Sequence, residues 1–212
     1  MELIWYGLSC FRLKERGFQT VVTDPYHHKV GLPALDKLKA DIVTVSHPAR
    51  GHNYVQAVPK RQMVLSGPGE YEIGGLFITG IATWPSKEAE HPNVLYLFNY
   101  GNITVAHLGD VSDIPKQSQI EALEQVNVLL IPVGHGSSLN AAQAAEFISM
   151  LEPNIVVPMH YHTPGLKLEL DSVDRFLKEM GINEYTAESS LKVSASNLPE
   201  ETETVILTPQ TS

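Results

Sequence analysis

Five residues in three separated stretches have the chemistry to hold a metal ion. "VSHPARGHNY", residues 45–54, carries His47 and His52. "ITVAHLGD" carries His107 and, three residues on, Asp110, and "IVVPMHYHT" carries His160 with His162 close behind. Imidazole nitrogens and a carboxylate oxygen are the donors that Zn²⁺ and similar borderline ions select. Each stretch directly follows a run of β-branched and apolar residues, so the donors stand at strand exits. In layered folds such exits converge on one rim, where ligands bind. His135, in "LLIPVGHG", follows a fourth run of this kind. A single histidine at a strand end is most often a hydrogen-bonded structural residue; five donors sharing one placement favour a common polar site. His27, His28 and His91 lie in polar turn segments and are read as structural.

The elements that must position these groups follow from the pattern. Residues 3–6, 10–14, 20–23 and 41–45 are short β-branched or aromatic runs between glycine and proline breaks, which predicts strands. Residues 70–73 and 76–81 add a hairpin around Gly74-Gly75. "NVLYLFNYGNITVAHLGD" reads as strand, Tyr-Gly-Asn turn and a strand ending at His107. From there helices and strands alternate. Residues 115–126 have helical spacing of Ile120, Leu123 and Val126, and "VNVLLIPVG" is an apolar strand of the kind covered on both faces. Residues 140–151 form an alanine-rich helix with Phe147, Ile148 and Leu151 inward, followed by the strand "NIVVPMH". Residues 171–180 predict a helix with Asp171 at its N-cap and Gly181 as its stop, and "ETVILTP" is the closing strand. Strands first and strand-helix units later suggest sheets with helices packed outside.

Bulk properties bound the function. The 212 residues fit one domain, 1–212, large enough to bury a substantial core. A net charge of -9 with no offsetting basic stretch argues against a nucleic-acid or anionic-membrane partner. No apolar run approaches the roughly 20 residues that span a bilayer, and the first residues lack the pattern of a secretory signal. The lone Cys10 excludes an intrachain disulfide, fits a reducing cytosol and reads as core. The expectation is a cytoplasmic protein acting on a small molecule. "SGPGEYEIGG" lacks the strand-to-helix transition and Lys-Ser/Thr of a phosphate loop, and Ser9 and Ser46 have no triad spacing around them.

Taken in order, "WYGLSCFRL", "VVTDPY", "ADIVTVSHPARGHNY", "GPGEYEIGG", "HLGD", "VLLIPVG" and "EPNIVVPMHYHTPGLKLELDSVDRFLKEMG" resemble the metallo-β-lactamase superfamily. Within it the chain is similar to the small metal-dependent hydrolases akin to ascorbate-phosphate lactonase, over nearly its whole length. The resemblance implies an α/β (α+β) fold: a four-layer αββα sandwich of two facing mixed sheets with helices outside and a one- or two-metal site at one edge. The family's His-x-His-x-Asp-His motif keeps its ends as His47 and His52, with Ala49 where the second His belongs and Gly51 in place of the Asp. Leu8 stands where relatives often have His in Trp-x-Gly-His-Ser, and His135 where a second Gly is common. The family's remaining ligands fall on His107, on Asp110 as the bridging carboxylate, and on His160. Asp24 matches an aspartate that supports the metal loop by hydrogen bonds.

On this resemblance one ligand set is reduced to His47 and His107 with Asp110 as a third, short of the three dependable protein ligands of a zinc site. The other keeps His52, Asp110 and His160: three N/O donors with an open position, suited to zinc and also to iron or manganese. The expectation is a mono-metal hydrolase of an ester, lactone or phosphoester, with His47 and His107 completing the pocket. Ala49 and Gly51 carry no proton acceptor, so Asp110, His135 and His162 are the groups left for proton transfer. The alternative is a non-catalytic relative, its metal lost with the replacements at positions 8, 49 and 51, binding a small ligand or a partner protein.

Overall fold

A computed structural model describes every residue except 37, 85–91, 124 and 212; His91 therefore lies outside the described residues. The chain opens with β1 (Glu2–Gly7), β2 (Cys10–Lys14), β3 (Val21–Thr23), β4 (Ile42–Thr44) and β5 (Met63–Leu65). A meander follows: β6 (Gly69–Ile73), β7 (Leu76–Thr83), β8 (Asn93–Asn99) and β9 (Thr104–His107). Then come α1 (Gln117–Glu121), β10 (Val128–Pro132), α2 (Ala141–Leu151), β11 (Ile155–Met159), α3 (Val173–Glu179), β12 (Leu191–Lys192) and β13 (Glu203–Thr204). Among the described residues these build two sheets, ordered β12-β1-β2-β3-β4-β5 and β13-β11-β10-β9-β8-β7-β6.

Period-two alternation faces the sheets toward each other. Leu3 and Trp5 of β1, Phe11 and Leu13 of β2, Val21 of β3 and Ile42 of β4 point into the core shared with Leu95, Val105 and Leu129 of the second sheet. Their neighbours Tyr6, Cys10, Val22 and Val43 point outward into a smaller cluster with Leu32, Leu35, Leu38 and Val58. In the second sheet β10 and β11 are buried throughout and pair in parallel, as apolar runs covered on both faces should. The helix α2 turns Ala144, Phe147 and Ile148 inward, and Asn140 caps it by accepting from Gln143 N at 2.9 Å.

The sandwich has the expected architecture with three local differences. The layer over the first sheet, for which the αββα resemblance implied helices but the sequence pattern located none, holds two 3₁₀ turns, His28–Val30 and Val55–Ala57. The helix expected over residues 115–126 is only α1: Leu123 and Val126 reach the core from beyond its end, where Gln125 takes a left-handed φ of 68°. The N-cap of α3 is Ser172, one residue after the expected Asp171, whose carboxylate instead takes the Arg175 guanidinium at 2.8 Å.

At one rim the sheets are stitched together. Val94 N donates to Ser46 O at 2.9 Å, His160 N to Leu8 O at 3.1 Å, and the Tyr96 hydroxyl to Leu65 O at 3.1 Å. Two glycines allow the close approach. A Cβ on Gly109 would lie 2.4 Å from Asn93 Oδ1 and from Ser46 Cβ, and one on Gly134 would lie 2.1 Å from His160 O. The exits of β3, β4, β9, β10 and β11 all meet at this rim.

Candidate metal centre

The site is organised around Asp24, the residue after β3. It has no solvent exposure and a left-handed φ of 40°, a conformation that costs an L-residue roughly 1–2 kcal/mol. Its carboxylate offsets that cost with three bonds. Oδ1 accepts Ser46 N at 2.7 Å, and Oδ2 accepts the Ser46 hydroxyl and His52 Nδ1–H, the latter at 2.8 Å. Burial opposes ionisation of Asp24, but the His52 bond and charge, then the His107 charge and the Ser46 hydroxyl, hold its carboxyl below the usual range. An ionised Asp24 fixes the His52 proton on Nδ1 and leaves Nε2 as the lone-pair nitrogen, the arrangement seen where a carboxylate orients a ligating histidine. Burial also works against protonation of His52, and the Asp24 bond and charge outweigh it and raise its pKa.

His52 Nε2 faces Asp110 Oδ2 at 3.9 Å, and His160 Nδ1 faces Asp110 Oδ1 at 3.8 Å. The His52 and His160 rings lie 5.2 Å apart at 29°. One donor atom from each of the three residues falls within 4.8 Å of the others, and all three side chains are buried. Ser137 donates its hydroxyl to Asp110 Oδ2 at 2.7 Å, and Asp110 N donates to Asn93 Oδ1 at 2.8 Å. Asp110 Oδ1 is buried with no hydrogen-bond partner. An orphaned carboxylate oxygen between two imidazoles is costly unless a cation answers it. The donor set therefore fits one zinc-type ion.

The protonation states of Asp110 and His160 agree with that fit. Burial raises the cost of the Asp110 charge, but the His160 and His52 imidazoles and the Ser137 hydroxyl keep its pKa below the usual value. Burial pushes His160 down to about 4 against the pull of Asp110, leaving a neutral ligand at neutral pH. A stability signature follows in the metal-free protein. Between pH 6.5 and about 4 the unfolded chain takes up a proton at this histidine that the folded chain refuses. The contribution is fully present above 6.5 and lost as pH falls toward 4. Denaturant titrations across that window should show His160→Gln flattening the slope of stability against pH by about 1.4 kcal/mol per pH unit; an unchanged slope would contradict it.

Other expected residues fall elsewhere. His107 is not with the triad: its Nε2–H donates to Ser9 O at 2.9 Å and its Nδ1 accepts Gly109 N–H at 3.2 Å, so both nitrogens serve the join between the sheets. Burial lowers its pKa despite the Asp24 charge. Replacing it with glutamine should cost about 1–3 kcal/mol of stability and leave bound metal unchanged by elemental analysis; loss of the metal would return His107 to the ligand set. His47 is half-buried, its ring 5.9 Å from that of His52, and its Nδ1 accepts Ala49 N–H at 3.3 Å. His135, expected to act in proton transfer, is exposed and does not line the triad's cavity; a φ of 62° turns the loop so that Ser137 reaches Asp110 instead. His162 is also exposed. Ser137 and Asn93 carried no sequence signal beyond a polar residue near a strand end.

A cavity of about 430 Å³ covers the triad. Lys29 and Arg50 line one side, Lys167 and Leu170 another, and Ala49 and Gly51 add no ligating atom. Among the described residues none of the three cations forms an ion pair. A Cβ on Gly51 would meet only Leu8 Cδ1, at 3.6 Å, so the buried Leu8 fills the space beside it.

Comparison with known proteins agrees with this architecture. Residues 2–160 match the β-lactamase superfamily domain family. A UPF0173 protein of Pyrococcus abyssi is 29% identical over 188 residues, 78% of this chain and 85% of its own length. A UPF0173 metal-dependent hydrolase of Methanopyrus kandleri is 24% identical over 217 residues, 86% of this chain and 94% of its own. A crystal structure from Thermotoga maritima, assigned to the Zn-dependent hydrolases of the metallo-β-lactamase superfamily, superposes with a TM-score of 0.80 at 32% identity over 97% of both chains. A metallo hydrolase of Ignicoccus hospitalis, at 18% identity and a TM-score of 0.67, shares the fold over 91% of this chain and 99% of its own. The paired sheets, the donors gathered at their rim and a match running from the first strand to His160 have one reading: the chain belongs to the metallo-β-lactamase superfamily, among relatives named as metal-dependent hydrolases, and that membership implies a metal cofactor.

Proposed function

We propose that the protein is a mono-metal hydrolase in which His52, Asp110 and His160 hold one ion, zinc before iron or manganese, and that it cleaves a small ester, lactone or phosphoester. The observation that carries this reading is Asp110 Oδ1, buried without a partner among donors of two imidazoles. When bound, such an ion supplies Lewis acidity and makes hydroxide available near neutral pH. The chain's own residues do the rest. Asp24 holds His52 in the tautomer that presents Nε2, and Ser137 and Asn93 hold the Asp110 side chain and backbone in place. On the wall of the cavity Lys29, Arg50 and Lys167 outnumber Glu169 and favour a substrate with an anionic group. Ala49 and Gly51, which line the same cavity, carry no proton acceptor. The reading treats residues 1–212 as one cytoplasmic domain with a small-molecule partner and neither nucleic acid nor membrane; among the described residues no helix is long and apolar enough to cross a membrane.

The test is elemental analysis of protein purified without chelators, paired with hydrolysis of p-nitrophenyl acetate and bis-p-nitrophenyl phosphate. The proposal expects about one ion per chain and hydrolysis that a chelator abolishes and the ion restores. A metal content near zero after supplementation would overturn it. The absence of donors at Ala49 and Gly51 favours a second reading, a fold retained without metal. Ala49→His with Gly51→Asp separates the two, because Gly51 has an ordinary φ and room for a Cβ. Mono-metal chemistry predicts a rise from about one to about two ions per chain; the metal-free reading predicts binding only in the double variant.

A further inference from the structure

A second cavity, of about 440 Å³, lies on the outer face of the first sheet and shares no lining residue with the cavity over the triad. Arg12, Asp36, Leu38, Lys39, Pro59 and Lys60 line it. The alternation of β2 sends Phe11 and Leu13 into the core and Arg12 outward, beside Asp36, Leu38, Lys39, Pro59 and Lys60. There Arg12 is half-buried, and its Nε is shielded from solvent with no hydrogen-bond partner. Among the described residues neither Arg12, Lys39 nor Lys60 forms an ion pair, with Asp36 or any other carboxylate.

Arg12 lines this opening beside its shielded Nε, and the planar fork of an arginine guanidinium matches the oxygens of a phosphate. Two lysines add charge to the same opening, while the buried Leu38 and the Pro59 ring offer an apolar wall. The volume exceeds that of a bare inorganic anion. We infer that this cavity is a second ligand site, which takes a small organic phosphate: the phosphate on Arg12, Lys39 and Lys60, and an apolar body against Leu38 and Pro59. The site is independent of the metal and of the hydrolytic reading.

The test is titration of ¹⁵N-labelled, full-length protein with inorganic phosphate and with phenylphosphonate, whose carbon–phosphorus bond resists hydrolysis. The triad's cavity also carries cations, so the readout is the Arg12 Nε–H resonance and the amides of residues 38, 39 and 60. Saturable shifts there are expected, with phenylphosphonate binding more tightly than phosphate. Arg12→Met should abolish them, and Lys39→Ala with Lys60→Ala, both exposed positions, should weaken binding by about tenfold or more. In phosphate-free buffer Arg12→Met should melt at or above the parent temperature, since it removes an unanswered donor; an arginine with a purely structural role would lower it. Shifts confined to residues around Ser137 and Lys167, or affinity unchanged in Arg12→Met, would overturn the inference.

Discussion

Replacing Asp110 by asparagine is expected to strip the protein of its metal while leaving it folded. The substitution removes the only carboxylate of the triad and leaves two imidazoles, fewer than the three protein ligands of a zinc site. The loss in affinity should exceed the 10–100-fold typical when a mere hydrogen-bond partner of a ligand is removed, reaching roughly 1,000-fold. Metal-free stability should fall only slightly. The folded state favours the ionised carboxylate through His160 and His52, so that part is lost, while an asparagine oxygen can still accept the Ser137 hydroxyl. Metal competition with a chromophoric chelator, and thermal melting of the metal-free form, measure the two effects separately. A variant that keeps its metal would remove Asp110 from the centre; one that loses metal only because it unfolds would show a strongly lowered metal-free melting temperature.

Asp24→Ala should be the more damaging change for the fold. It leaves Ser46 N–H and His52 Nδ1–H without their buried acceptor, and it puts alanine at a φ of 40°, where an aspartate is better tolerated. Removing one partner of a buried charged pair costs about 3–5 kcal/mol. Metal affinity should also fall, by about 10–100-fold, because His52 is no longer held in the tautomer that presents Nε2. Asp24→Asn separates the two roles. It keeps the shape and one acceptor for Ser46, so most of the stability should survive in denaturant unfolding while the metal affinity still falls. Equal affinity in the parent and both variants would show that the Asp24–His52 bond is structural only.

Much of this was legible in the sequence, for identifiable reasons. Period-two burial and glycine or proline breaks located most strands, and the apolar run at residues 128–132 announced a strand covered on both sides. The donors His52, Asp110 and His160 stood out because each follows a strand, and the topology brings those ends to one rim. His107 shows where the inference stops. It has the same residue type and the same placement, yet as the last residue of β9 its ring turns between the sheets to Ser9. Which face it takes depends on how the second sheet lies against the first, which no local pattern encodes. His135 fails for a related reason, since one left-handed residue re-aims the loop and hands Asp110 to Ser137. The edge strands β5 and β12, three and two residues long, are too short for periodicity to register.

Three strand exits present one nitrogen, one oxygen and a second nitrogen to a common point. Anomalous difference maps from crystals grown in zinc, collected on both sides of the zinc edge, should show one strong peak within bonding distance of His52 Nε2, Asp110 and His160, and none of comparable height beside His107. A map without a peak there, or with its peak elsewhere on the chain, would contradict it.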